Sequence, residues 1–202
     1  DPDDPVYHNN LGTIHVANRK YKDAIAAFNR ALELDPKNIP AMEGLGETYL
    51  DQGDLNRAKI YLQKAIDRGT RNPSTYQKLG NVFAMGGEST SAMELFQRAR
   101  KLDPGDASVC NSLGTLYLNA GEYDQAQTQF EMALARDPQY APAAEGLGEV
   151  YLAKGDTAVA TDYFKRSIDM DPNYPFAYKE LGKIALARQD YAAAEQLLQR
   201  AL

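Results

Sequence analysis

The chain has 202 residues, with 22 Lys and Arg against 28 Asp and Glu, giving a net charge of −6. Net acidity without a Lys/Arg cluster argues against a phosphate-binding face for nucleic acid, and no apolar run reaches the roughly 18 residues that a membrane span needs. A lone cysteine, Cys110, rules out an internal disulfide, and no Cys/His spacing suits a zinc site.

A period of 34 residues organises the chain from Pro5 onward. The first unit, 5–38, opens at Asp4-Pro5, which reads as an N-cap followed by a first-turn proline. Its first helix (helix A) carries Leu11-Gly12, and its second (helix B) carries Ala24, Phe28 and Ala31. Helix B should stop at Asp35-Pro36, because the residue before proline is pushed out of the helical region. The second unit, 39–72, has Leu45-Gly46, a break at Gly53-Asp54, then Ala58, Leu62 and Ala65. It ends in Arg68-Gly69-Thr70, where Gly69 reads as a left-handed C-cap. The third, 73–106, starts at Asn72-Pro73 and runs through Leu79-Gly80, Gly87, Ala92, Phe96 and Ala99 to Asp103-Pro104. The fourth, 107–140, has Leu113-Gly114, Gly121, Ala126, Phe130, Ala133 and Asp137-Pro138. The fifth, 141–174, has Leu147-Gly148, Gly155-Asp156, Ala160, Phe164, Ser167 and Asp171-Pro172. The sixth, 175–202, has Leu181-Gly182, Ala194, Leu198 and Ala201 and is incomplete.

Small residues at the Gly12 and Ala24 positions are expected to let the two helices of a unit approach closely. Residues of the Phe28 type would fill the space beyond that contact. One helix pair cannot bury its own apolar face, so the units must stack. The expected fold is all-α, a solenoid of helix-turn-helix repeats, read as one domain over 1–202.

Leucine-glycine, an aromatic four residues after the leucine (Tyr49, Phe83, Tyr117, Tyr151), then alanine, aromatic, alanine and proline together resemble the tetratricopeptide repeat (TPR). The resemblance covers essentially all of 5–202. The family's aromatic three residues before the leucine is replaced by His8, Met42, Cys110 and Ala144 in four units and kept as Tyr76 and Tyr178 in two. Such departures weaken single packing contacts. The resemblance implies a right-handed superhelical solenoid whose A helices line the concave side. It also implies a non-catalytic protein–protein interaction scaffold that binds a peptide or protein segment there. Two alternatives rest on analogy: a substrate-recruiting or regulatory arm of a larger enzyme, or an assembly factor of a bacterial envelope or pilus apparatus.

In this family the exposed concave residues lie two before, two after and five after the leucine. The resemblance therefore places Asn9, Thr13, Glu43, Glu47, Gln77, Asn81, Asn111, Thr115, Glu145, Glu149, Lys179 and Lys183 on that face, with Lys78 beside them. Glu43 and Glu47 share one helical face, as do Glu145 and Glu149, and like charges at that spacing cost a few tenths of a kcal/mol. Gly44 and Gly146 lie outside the repeat pattern, and a helix-interior glycine costs about 1 kcal/mol against alanine. Two readings stand side by side. Either a ligand backbone comes close at these glycines and the glutamates recognise a basic or N–H-rich segment, or glycine relieves crowding and Lys78 or Lys179 neutralises the glutamates. No three successive units supply the Lys, Asn and Arg set that clamps a C-terminal carboxylate, and the asparagine ladder of the sugar-transferase superhelices is absent.

A longer period of 102 residues relates Pro40–Glu47 to Pro142–Glu149, matching at all but one position. It is either an old duplication or a sign of two related concave patches. His8 and His15 are two turns apart and read as packing residues, as does Cys110. The acidic leader Asp1, Asp3 and Asp4 reads as a cap for the first helix. No phosphate-binding glycine loop or nucleophile elbow occurs, so no catalytic residue, cofactor or metal is expected. Leu186, Leu197, Leu198 and Leu202 would lack a following helix. That end is expected to pair with another copy, giving a homo-oligomer, or to be covered by further sequence. No targeting signal is visible, which points to a cytoplasmic setting, or a periplasmic one if a signal has been removed.

Overall fold

The computed structural model describes residues 3–202; Asp1 of the acidic leader lies outside them. Among the described residues there are twelve α-helices and no strand. They are α1 (Pro5–Ala17), α2 (Tyr21–Leu34), α3 (Ile39–Asp51), α4 (Leu55–Asp67), α5 (Pro73–Met85), α6 (Ser89–Leu102), α7 (Ala107–Asn119), α8 (Tyr123–Arg136), α9 (Ala141–Ala153), α10 (Thr157–Met170), α11 (Pro175–Ala187) and α12 (Tyr191–Arg200). Consecutive helices pair as hairpins, α1 with α2 through α11 with α12. The chain divides into two compact units, Asp1–Pro104 and Gly105–Leu202, each holding three hairpins. The division falls where the 102-residue period begins its second copy.

The helix ends follow the local chemistry. The Asp4 carboxylate accepts from Val6 N at 2.8 Å, and Asn72 Oδ1 accepts from Ser74 N at 3.1 Å, each ahead of a proline in the first turn. Helices α2, α6, α8 and α10 stop at Asp35, Asp103, Asp137 and Asp171, all in extended backbone before proline. Gly69 takes φ +84, the left-handed conformation read from the sequence. The turn between helices A and B also passes through the left-handed region. Gly53, Gly87, Gly121 and Gly155 occupy that position in four hairpins, but Arg19 (φ 56) and Gln189 (φ 63) occupy it in the first and last.

Packing within a hairpin is closest at the small residues of both helices. The alanines Ala24, Ala58, Ala92, Ala126, Ala160 and Ala194 are at most 1% exposed, so the helices do approach there. The nearest neighbour of the hairpin glycine is the bulky residue of helix B. A Cβ on Gly46 would lie 2.6 Å from Leu62 Cδ2, and one on Gly12 would lie 2.6 Å from Phe28 Cε1. A side chain of that length reaches back across the hairpin and rests on bare glycine backbone.

In unit 1 the core gathers Phe28, Leu45, Leu62 and Leu79. In unit 2 it gathers Cys110, Phe130, Leu147 and Val150, followed by Phe164, Leu181 and Ile184. Cys110 is wholly buried, as its repeat position implies, and His8 is half-buried with its ring edge-on to Tyr7 at 5.3 Å. At the C-terminal hairpin Leu186, Tyr191 and Leu202 are exposed, while Leu197 and Leu198 are half-buried.

Candidate binding faces of the A helices

The A helices of unit 1 are α1, α3 and α5, and they line a cleft of about 410 Å³. Asn9 and Thr13 enter it from α1, Glu43, Gly44 and Glu47 from α3, and Thr75 and Lys78 from α5. Residues two before and two after the leucine stand one turn apart and share a stripe, which is why α1 and α3 deliver these pairs together. Gln77 and Asn81, from the same stripe of α5, are not among the residues lining this cleft.

The polar groups of the cleft are unequally satisfied. Glu43 Oε1 accepts hydrogen bonds from both Thr70 Oγ1 and Thr75 Oγ1 at 2.6 Å. Glu47 pairs with the Lys78 ammonium at 2.8 Å. The Asn38 side chain caps α3 by accepting from Ala41 N at 2.9 Å and also accepts from Asn9 Nδ2 at 2.9 Å. That leaves Asn9 Oδ1 buried and without a donor.

Gly44 is explained from inside the fold. A Cβ there would meet Phe28 Cζ at 2.4 Å, and one at Gly146 would meet Phe130 Cε1 at 2.5 Å. Phe28 thus lies against both Gly12 and Gly44, and Phe130 against both Gly114 and Gly146. The close approach at these glycines is made by a ring of the preceding hairpin. Lys78 does neutralise Glu47, as one of the two readings held. Lys179 makes its ion pair with Glu180 at 3.4 Å, and its charge also acts on Glu145 and Glu149.

In unit 2 the corresponding stripe carries Asn111 and Thr115 on α7, Glu145 and Glu149 on α9, and Lys179 and Lys183 on α11. Asn111 Oδ1 is buried without a partner, just as Asn9 Oδ1 is. Glu145 and Glu149 are half-buried, one turn apart on α9. Burial, then the neighbouring Glu149 and Glu180 charges, push the Glu145 carboxyl up to about 8, with Lys179 pulling the other way. Glu149 is raised as well, chiefly by burial and then by Glu180. Burial, followed by the nearby Glu145 charge, raises Tyr174 above the ordinary phenol range.

Several of these residues are off the expected stripe. Asn38, Thr70 and Thr75 serve the unit 1 groove from turns and helix starts, and Glu180 enters the unit 2 cluster one residue after Lys179. Only side-chain reach decides such contributions, although the buried Glu180 had a signal in the sequence: it occupies the place of Gly44 and Gly146. Among the described residues, no three His, Cys, Asp or Glu are placed to hold a metal ion, and no helix is long and apolar enough to cross a membrane.

Two family models, both described as tetratricopeptide repeat, match the chain: one over residues 15–80 and 151–202, the other over 111–175. A peroxisomal targeting signal receptor of Komagataella phaffii is 39% identical over 57 residues, which is 28% of this chain and 10% of the receptor. The chain thus spans about a tenth of the length of the curated relatives it matches. Among solved structures, YrrB, described as a TPR protein with an unusual peptide-binding site, is 26% identical with a TM-score of 0.69. The match covers 88% of this chain and 91% of YrrB. MamA is 30% identical with a TM-score of 0.70, covering 80% of this chain and 95% of MamA.

Proposed function

Because the chain belongs to the tetratricopeptide repeat family, we propose that it is a non-catalytic scaffold that holds an extended protein segment against its A helices. The observation that carries this reading is the unit 1 cleft with its unpartnered Asn9 Oδ1. A buried acceptor left without a donor costs about 1–3 kcal/mol, and a turn of the Asn9 side chain into the cleft it lines brings that oxygen to a backbone N–H of an extended segment. The cleft volume of about 410 Å³ is in the range of small-ligand pockets, so it takes a few residues of a segment and not a folded domain. Asn111 Oδ1 offers the same unpartnered acceptor in unit 2. The peptide-binding site named for YrrB supports the same use of the fold.

The test blocks the cleft from an exposed position. Thr13 lines it and is exposed, so Thr13→Trp fills the cleft without entering the core. A peptide selected by the wild-type chain from an array of extended peptides should bind the variant at least about tenfold more weakly, about 1.4 kcal/mol. The thermal midpoint should not move. Equal affinity for wild type and variant would refute the assignment.

A further inference from the structure

Within each unit, a helix A that follows a hairpin is covered by that hairpin along one side. The covered side carries the residues four before and three after the leucine. They are Ala41 and Thr48 on α3, Ala143 and Val150 on α9, and Ala177 and Ile184 on α11, all at most 7% exposed. On α1 the same positions hold Tyr7 and Ile14, which are 49% and 57% exposed, with Val6 exposed beside them. A solenoid face meant for water carries polar residues. This face of α1 carries the apolar residues of a covered one.

The hairpin of α11 and α12 shows the complementary side. Phe28, Leu62, Phe130 and Phe164 are at most 3% exposed, and the following helix A closes over the rings of Phe28 and Phe130 with Gly44 and Gly146. Leu198 stands at that position in α12 and is only half-buried. Leu152 of α9 packs against the cluster that holds Ile184 of the next helix A. Its counterpart on α11, Leu186, is exposed, as is Leu202, the counterpart of the half-buried Ile168.

The rims of the two sides match in charge. Successive hairpins are joined by Lys59 with Glu88 at 3.0 Å, Lys78 with Glu47 at 2.8 Å and Lys154 with Asp124 at 2.8 Å. Carried by repeat position to the two open sides, these pairs become Glu195 with Lys20, Lys183 with Asn10, and Ala192 with Asn18. The first keeps opposite charges with the signs exchanged, and no pair sets like charges together. Glu195 and Lys20 are exposed, and neither takes part in an ion pair among the described residues.

We propose that the α11/α12 hairpin of one copy seats on α1 of a second copy, in the register that successive hairpins use, so that copies add head to tail. Ile14 then takes the place of Ile184 and buries itself against Leu198 and Leu186 of the other copy, while Lys20 pairs with Glu195. The two partners use different surfaces, so each copy keeps one unused face and the assembly does not close at a dimer. The contact lies outside the groove of either unit and goes beyond the groove reading. It sets Lys179 and Lys183 of one copy beside Asn9 and Thr13 of the next, a stretch of polar stripe that a single copy lacks.

Sedimentation velocity of the full chain between about 1 and 100 μM tests this, a range that brackets micromolar association. The average mass should climb past two copies as concentration rises. Ile14→Glu and Leu186→Glu change exposed positions, and a retained thermal midpoint checks the fold of each. Each should weaken self-association at least about tenfold. Mixed together, the two variants should form a heterodimer and stop there, because one has an intact hairpin face and the other an intact α1 face. Lys20→Glu should weaken association about three- to fivefold, and adding Glu195→Lys to the same chain should restore it. A wild-type chain that stays monomeric over the whole range would overturn the inference, as would an assembly that stops at two copies, which marks symmetric pairing. Unchanged association in either single variant, a mixture that fails to pair, or a charge swap that does not restore would overturn it as well. The groove assignment is judged separately by Thr13→Trp with array-selected peptides.

Discussion

Gly44→Ala tests whether the groove glycines exist for internal packing. On helix propensity alone the substitution should stabilise α3 by about 1 kcal/mol. The structure reverses that expectation. The new Cβ would sit 2.4 Å from Phe28 Cζ and 2.5 Å from Cε1, whereas carbon atoms in contact prefer about 3.5–4.0 Å. Phe28 cannot swing away freely, because the other bare position against its ring is Gly12, where a Cβ would lie 2.6 Å from Cε1. Overpacking of this kind costs about 1–3 kcal/mol, so the net loss is roughly 0–2 kcal/mol once the propensity gain is subtracted. Leucine replaces phenylalanine at the ring position of the second hairpin, as Leu62, and offers a natural relief. In a Phe28→Leu background, Gly44→Ala should therefore become neutral or stabilising. The four chains of this double-mutant cycle are compared by urea unfolding followed by circular dichroism. A coupling energy of at least about 1 kcal/mol is expected. Gly44→Ala that stabilises the wild-type background, or a coupling near zero, would refute the packing argument and return the glycine to the ligand.

The turn position of the last hairpin gives a second prediction. Gln189 holds φ 63 where four other hairpins have glycine, so Gln189→Gly should raise the urea midpoint by up to about 1 kcal/mol in stability, the left-handed region costing a side chain about that much or more. Asn38 is 8% exposed and serves both as the cap of α3 and as acceptor for Asn9. Asn38→Ala should cost about 1–2 kcal/mol in the same assay. The pH dependence comes from Glu145, whose carboxyl is pushed from an ordinary 4.5 up to about 8. Between those values the folded chain keeps a proton that the unfolded chain has lost, so raising the pH favours unfolding. The stabilising contribution is complete below about pH 4.5 and is lost as the pH rises through about 8. The thermal midpoint should therefore fall across that window, and Glu145→Gln should flatten the fall; an equal slope in the variant would contradict the assignment.

The sequence by itself determined the repeat, its hairpins and their ends. These depend on neighbours in the chain: proline after Asp35 and Asp103, glycine at position 69, and helical spacing of Leu45, Tyr49 and Leu50. It also placed the Glu43/Glu47 and Glu145/Glu149 pairs on one stripe, because a helix fixes which residues share a face. Which groups meet across helices was decided only by the tertiary structure. Glycine at position 12 or 46 lies directly under the ring or leucine of helix B, because side-chain length sets that contact. The two acidic pairs read identically in the sequence, yet one is satisfied by Thr70, Thr75 and Lys78 while the other lies beside Glu180. Charge and burial are properties of the space around a group, and that space is assembled from residues about 30 positions away along the chain.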